Sequence, residues 1–207
     1  MIGPAEIFTI LFVMLGPMKV LGPFAQRTRG IDDAAMRRIA WWTFVVATVG
    51  IVTGSLLGRA MLQSWGVSVS ALRLTGGVVF FLVALRQLLE QYEPAHAVPP
   101  ETLPASPIRA AVHFVFPMVL TPYGIAAVIA LLASSLEAER TVMILELVLL
   151  VMVLDLLAML LARRILVGLT VVILQVFGAV LAVLQVALSV ELILGGLRSL
   201  GVIAGES

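Results

Sequence analysis

Cysteine is absent from the sequence, and histidine occurs only at His96 and His113. Without cysteine the chain forms no disulfide, thiolate metal site or thiol-attached haem, and it performs no thiol redox chemistry. Two histidines are too few for a metal centre built from imidazole ligands. We therefore expect neither a metal site nor a cofactor.

Charged residues are also scarce. They make up 12% of the 207 residues and give a net charge of +1, whereas nucleic-acid binding requires a clustered basic surface. We therefore expect no nucleic-acid partner. Apolar residues reach 61%, compared with about 45–50% in soluble domains. Because polar side chains cannot cover such a chain in water, the composition predicts an integral membrane protein with lipid as a partner.

Long apolar runs predict transmembrane helices, since about 20 apolar residues cross a bilayer. The sequence contains six such runs, at about residues 7–24, 39–57, 69–85, 110–132, 142–162 and within 165–197. No basic residue precedes the first run and no small-residue cleavage site follows it, so we interpret it as a helix rather than a removable signal peptide. The predicted fold class is all-α, a polytopic membrane protein.

Arginines predict the orientation, because cytoplasmic loops carry an excess of Lys and Arg. Loops one, three and five contain Arg27, Arg29, Arg37, Arg38, Arg86, Arg109, Arg163 and Arg164. The opposite side receives only Arg59, Arg140 and Arg198. We expect a multi-pass protein of the plasma (inner) membrane with both termini on the outer side.

A proline-rich stretch at residues 93–107 divides the chain. Its prolines are Pro94, Pro99, Pro100, Pro104 and Pro107. Because proline stiffens a chain, we interpret this stretch as a hydrophilic cytoplasmic linker. Residues 1–92 and 108–207 then form two repeats of three helices. Since three is odd, the second repeat crosses the membrane in the opposite sense, which makes the repeat inverted.

Each repeat opens with a helix that carries two prolines. The first helix has Pro17 and Pro23, and the fourth has Pro117 and Pro122, with a methionine after the first proline of each pair. Proline lacks an N–H group and disfavours the α conformation of the preceding residue, so both helices are expected to break. Paired broken helices are typical of the midplane substrate site of secondary transporters.

The predicted substrate site combines both breaks with the third helix. Its residues are Gly16, Pro17, Lys19, Gly22, Pro23, Arg73, Gly76, Gly77, Pro117, Thr121, Pro122, Tyr123 and Gly124. The hydroxyls of Thr121 and Tyr123 would either bind substrate or satisfy freed backbone groups. Gly76 and Gly77 would either pack against a neighbouring helix or leave room for a ligand. Half-helix ends offer amides to a carboxylate and carbonyls to a cation, which suits a small amino acid.

Charges inside the spans are the candidates for coupling or ion pairing, because an intramembrane charge is costly and usually functional. Lys19 and Asp155 have opposite charge and equal predicted depth, roughly 20 Å from the outer surface. We expect them to pair. Arg73 lies closer to that surface, and Glu191 is its expected partner. The alternatives are that Arg73 binds a substrate carboxylate directly or that it only snorkels to the interface.

Residues 66–77, GVSVSALRLTGG, resemble the third-helix signature of the MarC family of membrane proteins, Gly-Ile-Ser-Ile followed after two residues by Arg-Ile-Ala-Gly-Gly. The proline motifs resemble that family's Asn-Pro-x-Gly and Pro-x-x-x-Gly-Pro-Gly motifs. The chain departs at Gly16, where the family usually has Asn, and at Lys19, Thr121 and Tyr123, where it has Gly. The resemblance implies a divergent member of the wider LysE-type superfamily of amino-acid and ion exporters.

We expect a secondary transporter of small solutes, with small neutral amino acids first, and a midplane site between helices one and four. The sequence has no HExxH zinc motif, GxSxG elbow or Gly-rich phosphate loop, so we expect no enzyme. Two alternatives stay open. One is a non-transporting scaffold or channel-like protein, and the other is a membrane-embedded enzyme acting on lipid-linked substrates. Whether the chain forms a homo-oligomer also stays open.

Overall fold

The computed structural model describes residues 3–90, 106–135, 137–168 and 171–203. In these ranges the regular elements are all helices. They are α1 Pro4–Leu15, α2 Met18–Arg27, α3 Asp33–Trp65, α4 Val69–Glu90, α5 Pro107–Phe114, a π-helical turn Val115–Val119, α6 Pro122–Ala133, α7 Ala138–Gly168 and α8 Val171–Ser199. Most of the predicted linker, residues 93–105, lies outside the described ranges.

Five segments of the described chain are long and apolar enough to cross a bilayer. They are Pro4–Arg27, which joins α1 and α2, Asp33–Trp65, Val69–Arg86, Ala138–Ile165 and Ala182–Ser199. The fourth predicted span is instead divided into α5, the π turn and the short apolar helix α6. The prediction of an all-helical polytopic membrane protein is confirmed.

Helix α3 is longer than its predicted span because capping residues, and not the ends of the apolar run, define where it begins and ends. At its start, the Asp32 side chain accepts hydrogen bonds from the backbone N–H groups of Ala34 and Ala35. At its end, Gly66 adopts a left-handed conformation with φ of 66°, which glycine tolerates without a Cβ clash. A helix of 33 residues measures about 50 Å, so α3 extends beyond the hydrocarbon core or tilts within it.

Helices α3 and α7 occupy similar positions in the packing. Each packs against the other, α3 also packs against α5 and α6, and α7 also packs against α1 and α2. Helix α4 packs closely along α8 in antiparallel register. A Cβ on Gly77 would lie 2.9 Å from the Ile193 backbone nitrogen, and one on Gly196 would lie 2.9 Å from Leu74 Cβ. These glycines allow the α4–α8 contact, as small residues do between membrane helices.

Two arginines connect the long helices α3 and α7 to the loops beyond the broken helices. Arg163 on α7 donates to the backbone oxygen of Thr28 and, at 2.6 Å, to that of Ile31. It also forms an ion pair of 2.6 Å with Asp33, at the start of α3. Arg59 on α3 donates to the backbone oxygen of Ser135 at 3.1 Å, just after α6. Helix α7 therefore holds the loop that follows α2, and helix α3 holds the loop that follows α6.

Candidate functional site

The first break separates α1 from α2 at Gly16 and Pro17. Gly16 is extended, with φ of −71° and ψ of 175°, and Pro17 precedes α2 without an N–H group to donate. The break therefore lies where the first proline predicts it. It frees backbone oxygens at the C-terminal end of α1, which side chains from other elements then reach.

The second break separates α5 from α6 over a longer stretch. Phe116, inside the π turn, is extended with φ of −128° and ψ of 129°. Thr121 is also extended, and its hydroxyl accepts a hydrogen bond of 3.2 Å from the backbone N–H of Gly124. Thr121 therefore caps α6, and Pro122 occupies the first helical position, where proline costs little.

Polar groups converge on the backbone oxygen of Met14 at the end of α1. The Lys19 ammonium donates to this oxygen, and the Thr121 hydroxyl donates to it at 3.4 Å. The Lys19 ammonium also lies 5.2 Å from the centre of the Tyr123 ring, which is within the range of a cation–π interaction. Tyr123 is buried and stacks on Phe80, with 4.6 Å between ring centres. The two breaks thus meet at one point.

A pocket extends from this point between α1, α4, α6 and α8. Met14 and Tyr123 line one part of it, and Arg73 on α4 lines another, seven residues or about 10 Å from Phe80 along the helix. Its other walls are small or apolar and include Gly76, Gly77, Ala126, Ala127 and Ala130. The cavity has a volume of about 50 Å³, whereas a single water molecule needs about 10–15 Å³.

Arg73 and Glu191 do not form the ion pair that the sequence predicts. Glu191 accepts a hydrogen bond of 3.3 Å from Arg198, which lies two turns further along α8 and on the same face. Arg73 forms no ion pair within the described ranges. Its side chain runs beside Gly195, whose Cβ position would be 3.8 Å from Arg73 Cδ. Arg73 therefore has its charge available to the pocket.

Asp155 and Lys19 interact electrostatically but do not share a hydrogen bond. Asp155 lies on α7 and is only 1% exposed. Neither of its carboxyl oxygens has a hydrogen-bond partner among the described residues. The predicted pair is not formed in this conformation, because the Lys19 ammonium binds the oxygen that the first break has freed.

The other predicted site residues lie around the pocket or away from it. Gly124 brings α6 close to α1, since a Cβ there would lie 2.4 Å from Leu15 Cδ2. Gly22 and Pro23 lie within α2 and do not line the pocket, and Pro23 does not break that helix. Pro122 is exposed at the start of α6. Pro117 belongs to the π turn, but its side chain lies outside the described part.

The sequence interpretation missed one polar side chain that reaches the first break. Gln185 on α8 is 7% exposed, and its amide donates to the backbone oxygen of Val13 over 3.5 Å, which is long for a hydrogen bond. In a continuous helix the Val13 oxygen would accept a hydrogen bond from residue 17, but Pro17 has no N–H group to donate. The signal that could have found it is a glutamine inside the sixth apolar run, where Gln185 is one of two, with Gln175.

Comparison with known proteins gives a match to one family. A family model described as MarC family integral membrane protein matches residues 4–200. No curated protein and no solved structure matches. The matched region includes both breaks, the pocket and Asp155.

Proposed function

This chain belongs to the MarC family of integral membrane proteins, and we propose that it is a secondary transporter of small amphoteric solutes. The pocket between α1, α4, α6 and α8 carries the proposal. Met14 and Tyr123 line one part of it and Arg73 lines another, and beside it the Lys19 ammonium binds the Met14 oxygen and lies over the Tyr123 ring. Groups that bind a cation and a group that binds an anion therefore line a single cavity.

These groups suit an amino acid. Arg73 offers a planar set of N–H donors that matches a carboxylate. The Met14 oxygen lies at the C-terminal end of α1, where the helix dipole is negative, and the Tyr123 ring attracts an ammonium group through its face. The cavity of about 50 Å³ favours a small side chain. We therefore propose small neutral amino acids as the substrates.

We further propose that the two halves form an inverted repeat with both termini on the outer side of the plasma membrane. The exchanged packing supports this, since α3 packs against α5 and α6 while α7 packs against α1 and α2. The two arginine contacts, from Arg59 and Arg163, support it too. In such proteins one bundle rocks against the other around a fixed midplane site.

A counterflow assay in proteoliposomes tests the proposed function. The proteoliposomes are loaded with unlabelled amino acids or small ions in turn, and uptake of the labelled compound is measured with and without a pH gradient. We expect exchange of at least one small neutral amino acid. A scaffold would give no substrate-dependent flux, and an enzyme acting on lipid-linked substrates would give turnover without flux. Either result would reject the proposal.

Arg73→Gln makes the assay specific to the pocket. Loss of a charged hydrogen bond costs about 1.5–3 kcal/mol, so we expect exchange at limiting substrate to fall about tenfold to a hundredfold. Arg37→Gln is the matched control, because Arg37 is exposed on α3 away from the pocket. If both variants exchange as the unmodified protein does, Arg73 does not bind the substrate.

A further inference from the structure

The carboxyl group of Asp155 is in an unusual position for an ionised side chain. It is 1% exposed, and both oxygens lack hydrogen-bond partners among the described residues. An ionised carboxylate without a partner in such surroundings costs several kcal/mol. The group must therefore be neutralised by a proton, by another cation or by an ammonium group from the protein.

Lys19 is the ammonium group that could neutralise Asp155, but it forms its hydrogen bond with another group. Its charge acts on Asp155, while its N–H group donates to the Met14 oxygen and its ammonium lies over the Tyr123 ring. Met14 and Tyr123 both line the pocket. In this conformation Lys19 thus binds the same oxygen and ring that we assign to the ammonium group of a substrate.

We propose that Asp155 is a proton site and that Lys19 links it to the pocket, so that substrate and proton exchange for one another. This inference rests on the proposed function. When a proton binds Asp155, the neutral acid releases Lys19, which binds the Met14 oxygen as observed. When Asp155 loses that proton, its carboxylate attracts Lys19 and leaves the oxygen and the Tyr123 ring open. A substrate ammonium then binds there, and one proton has been released for each substrate bound.

The neighbours of Asp155 on its own helix favour a proton over a metal cation. One turn away on α7, its buried neighbours Val151, Met152, Ala158 and Met159 offer no side-chain oxygen. A sodium or magnesium ion would need several oxygen ligands. Groups of acidic or histidine residues able to hold a metal are absent from the described ranges. The proton is the cation that needs only the carboxyl group.

The helices packed against α7 carry titratable groups mainly near their ends. On α1 the acid is Glu6, near the helix start, and on α6 it is the Tyr123 hydroxyl. On α2 the groups are Lys19 and, at the far end, Arg27. On α3 they stand toward the ends: Asp33, Arg37, Arg38 and Arg59. Among the described residues, Lys19 is the one whose charge acts on Asp155.

The depth of Asp155 also couples it to a conformational change. A carboxyl group that is 1% exposed cannot exchange its proton with water until the helices around it move. Under this proposal, the motion that opens the site is also the motion that lets Asp155 exchange its proton. That requirement is what distinguishes coupled exchange from a proton leak.

Infrared spectroscopy on the purified protein tests the proton site without any substrate. We expect a protonated-carboxyl band at neutral pH that disappears in Asp155→Asn and remains in Glu146→Gln. Glu146 is the matched control, since it is an exposed acid on the same helix. Size-exclusion profiles verify that each variant is folded. A band that is the same in the unmodified protein and in Asp155→Asn would overturn the proposal.

Counterflow of L-alanine at limiting concentration tests the link to the pocket. We expect exchange by the unmodified protein to rise about tenfold per pH unit while one proton is released per substrate bound. Asp155→Asn should be slow at every pH, because Lys19 then stays on the Met14 oxygen. The double variant Lys19→Met with Asp155→Asn should recover exchange without pH dependence.

The outcomes separate this inference from the proposed function. pH dependence that persists in Asp155→Asn, or exchange that follows sodium instead of pH, would overturn the proton coupling. A double variant as slow as Asp155→Asn would overturn the role of Lys19. If the carboxyl band behaves as expected but no amino acid exchanges at any pH, the proton site stands and the proposed amino-acid transport is rejected.

Discussion

The break between α1 and α2 takes only Gly16 and Pro17, whereas the break between α5 and α6 extends through the π turn to Thr121. The short break contributes the backbone oxygen of Met14, at the C-terminal end of a helix. The long break contributes a capped N-terminal helix end and the ring of Tyr123. Two similar proline motifs therefore supply opposite chemistry, because one ends a helix at the pocket and the other begins one.

The largest expected effect comes from closing the short break. Pro17→Leu restores an N–H group and removes a bias of about 3 kcal/mol against a continuous helix. We expect exchange to fall about a hundredfold while membrane insertion is unchanged. The measurement is counterflow beside a protease-protection assay of topology.

Pro23→Leu is the control for the short break. Pro23 is exposed inside α2, where it does not interrupt the helix, so we expect exchange within about twofold of the unmodified protein. Pro122→Leu should also be mild, because proline at the first helical position replaces no hydrogen bond. Equal losses for Pro17→Leu and Pro122→Leu would remove the difference between the two breaks.

The arginine contacts beyond the breaks give the next effect. Arg163 forms an ion pair with Asp33 and binds two backbone oxygens, whereas Arg59 binds one backbone oxygen and the Thr141 hydroxyl. We expect Arg163→Gln to lower stability by about 1.5–3 kcal/mol and Arg59→Gln by about 1 kcal/mol. Thermal unfolding in detergent measures both. A greater loss for Arg59→Gln would contradict the ranking.

The smallest effect is expected at the cap of α6. Thr121→Val removes the acceptor for the Gly124 N–H group and the donor to the Met14 oxygen, and loss of such a cap costs about 1 kcal/mol. Thr121→Ser keeps both hydrogen bonds and should retain the stability of the unmodified protein. A stability loss in Thr121→Ser that is absent in Thr121→Val would show that the methyl group of Thr121, rather than its hydroxyl, is what matters.

Local chemistry made parts of this site predictable. Proline without an N–H group predicts the break at Pro17, and small residues in an apolar run predict close packing at Gly77. The sequence also identified Arg73 and Tyr123, which both line the pocket. These inferences depend on the residue itself and not on its neighbours in space.

The partners of the charged residues were not predictable in the same way. Counting residues along a helix gives the depth of Lys19 and Asp155, but it does not say which other polar groups lie at that depth. The break frees the Met14 oxygen, and Lys19 donates to this oxygen instead of to Asp155. Glu191 likewise finds Arg198 on its own helix. Pro23 stays inside α2 with its side chain exposed, which no motif reveals.

The absence of cysteine allows the most direct test of the pocket, since a single introduced thiol is the only one in the protein. Ala126→Cys places a thiol on the pocket wall, and Ser64→Cys places one at the exposed end of α3. In proteoliposomes that exchange L-alanine, we expect a water-soluble maleimide to label both variants and L-alanine to slow the labelling of Ala126→Cys alone. Labelling of the pocket thiol that L-alanine leaves unchanged would contradict a substrate site in this pocket.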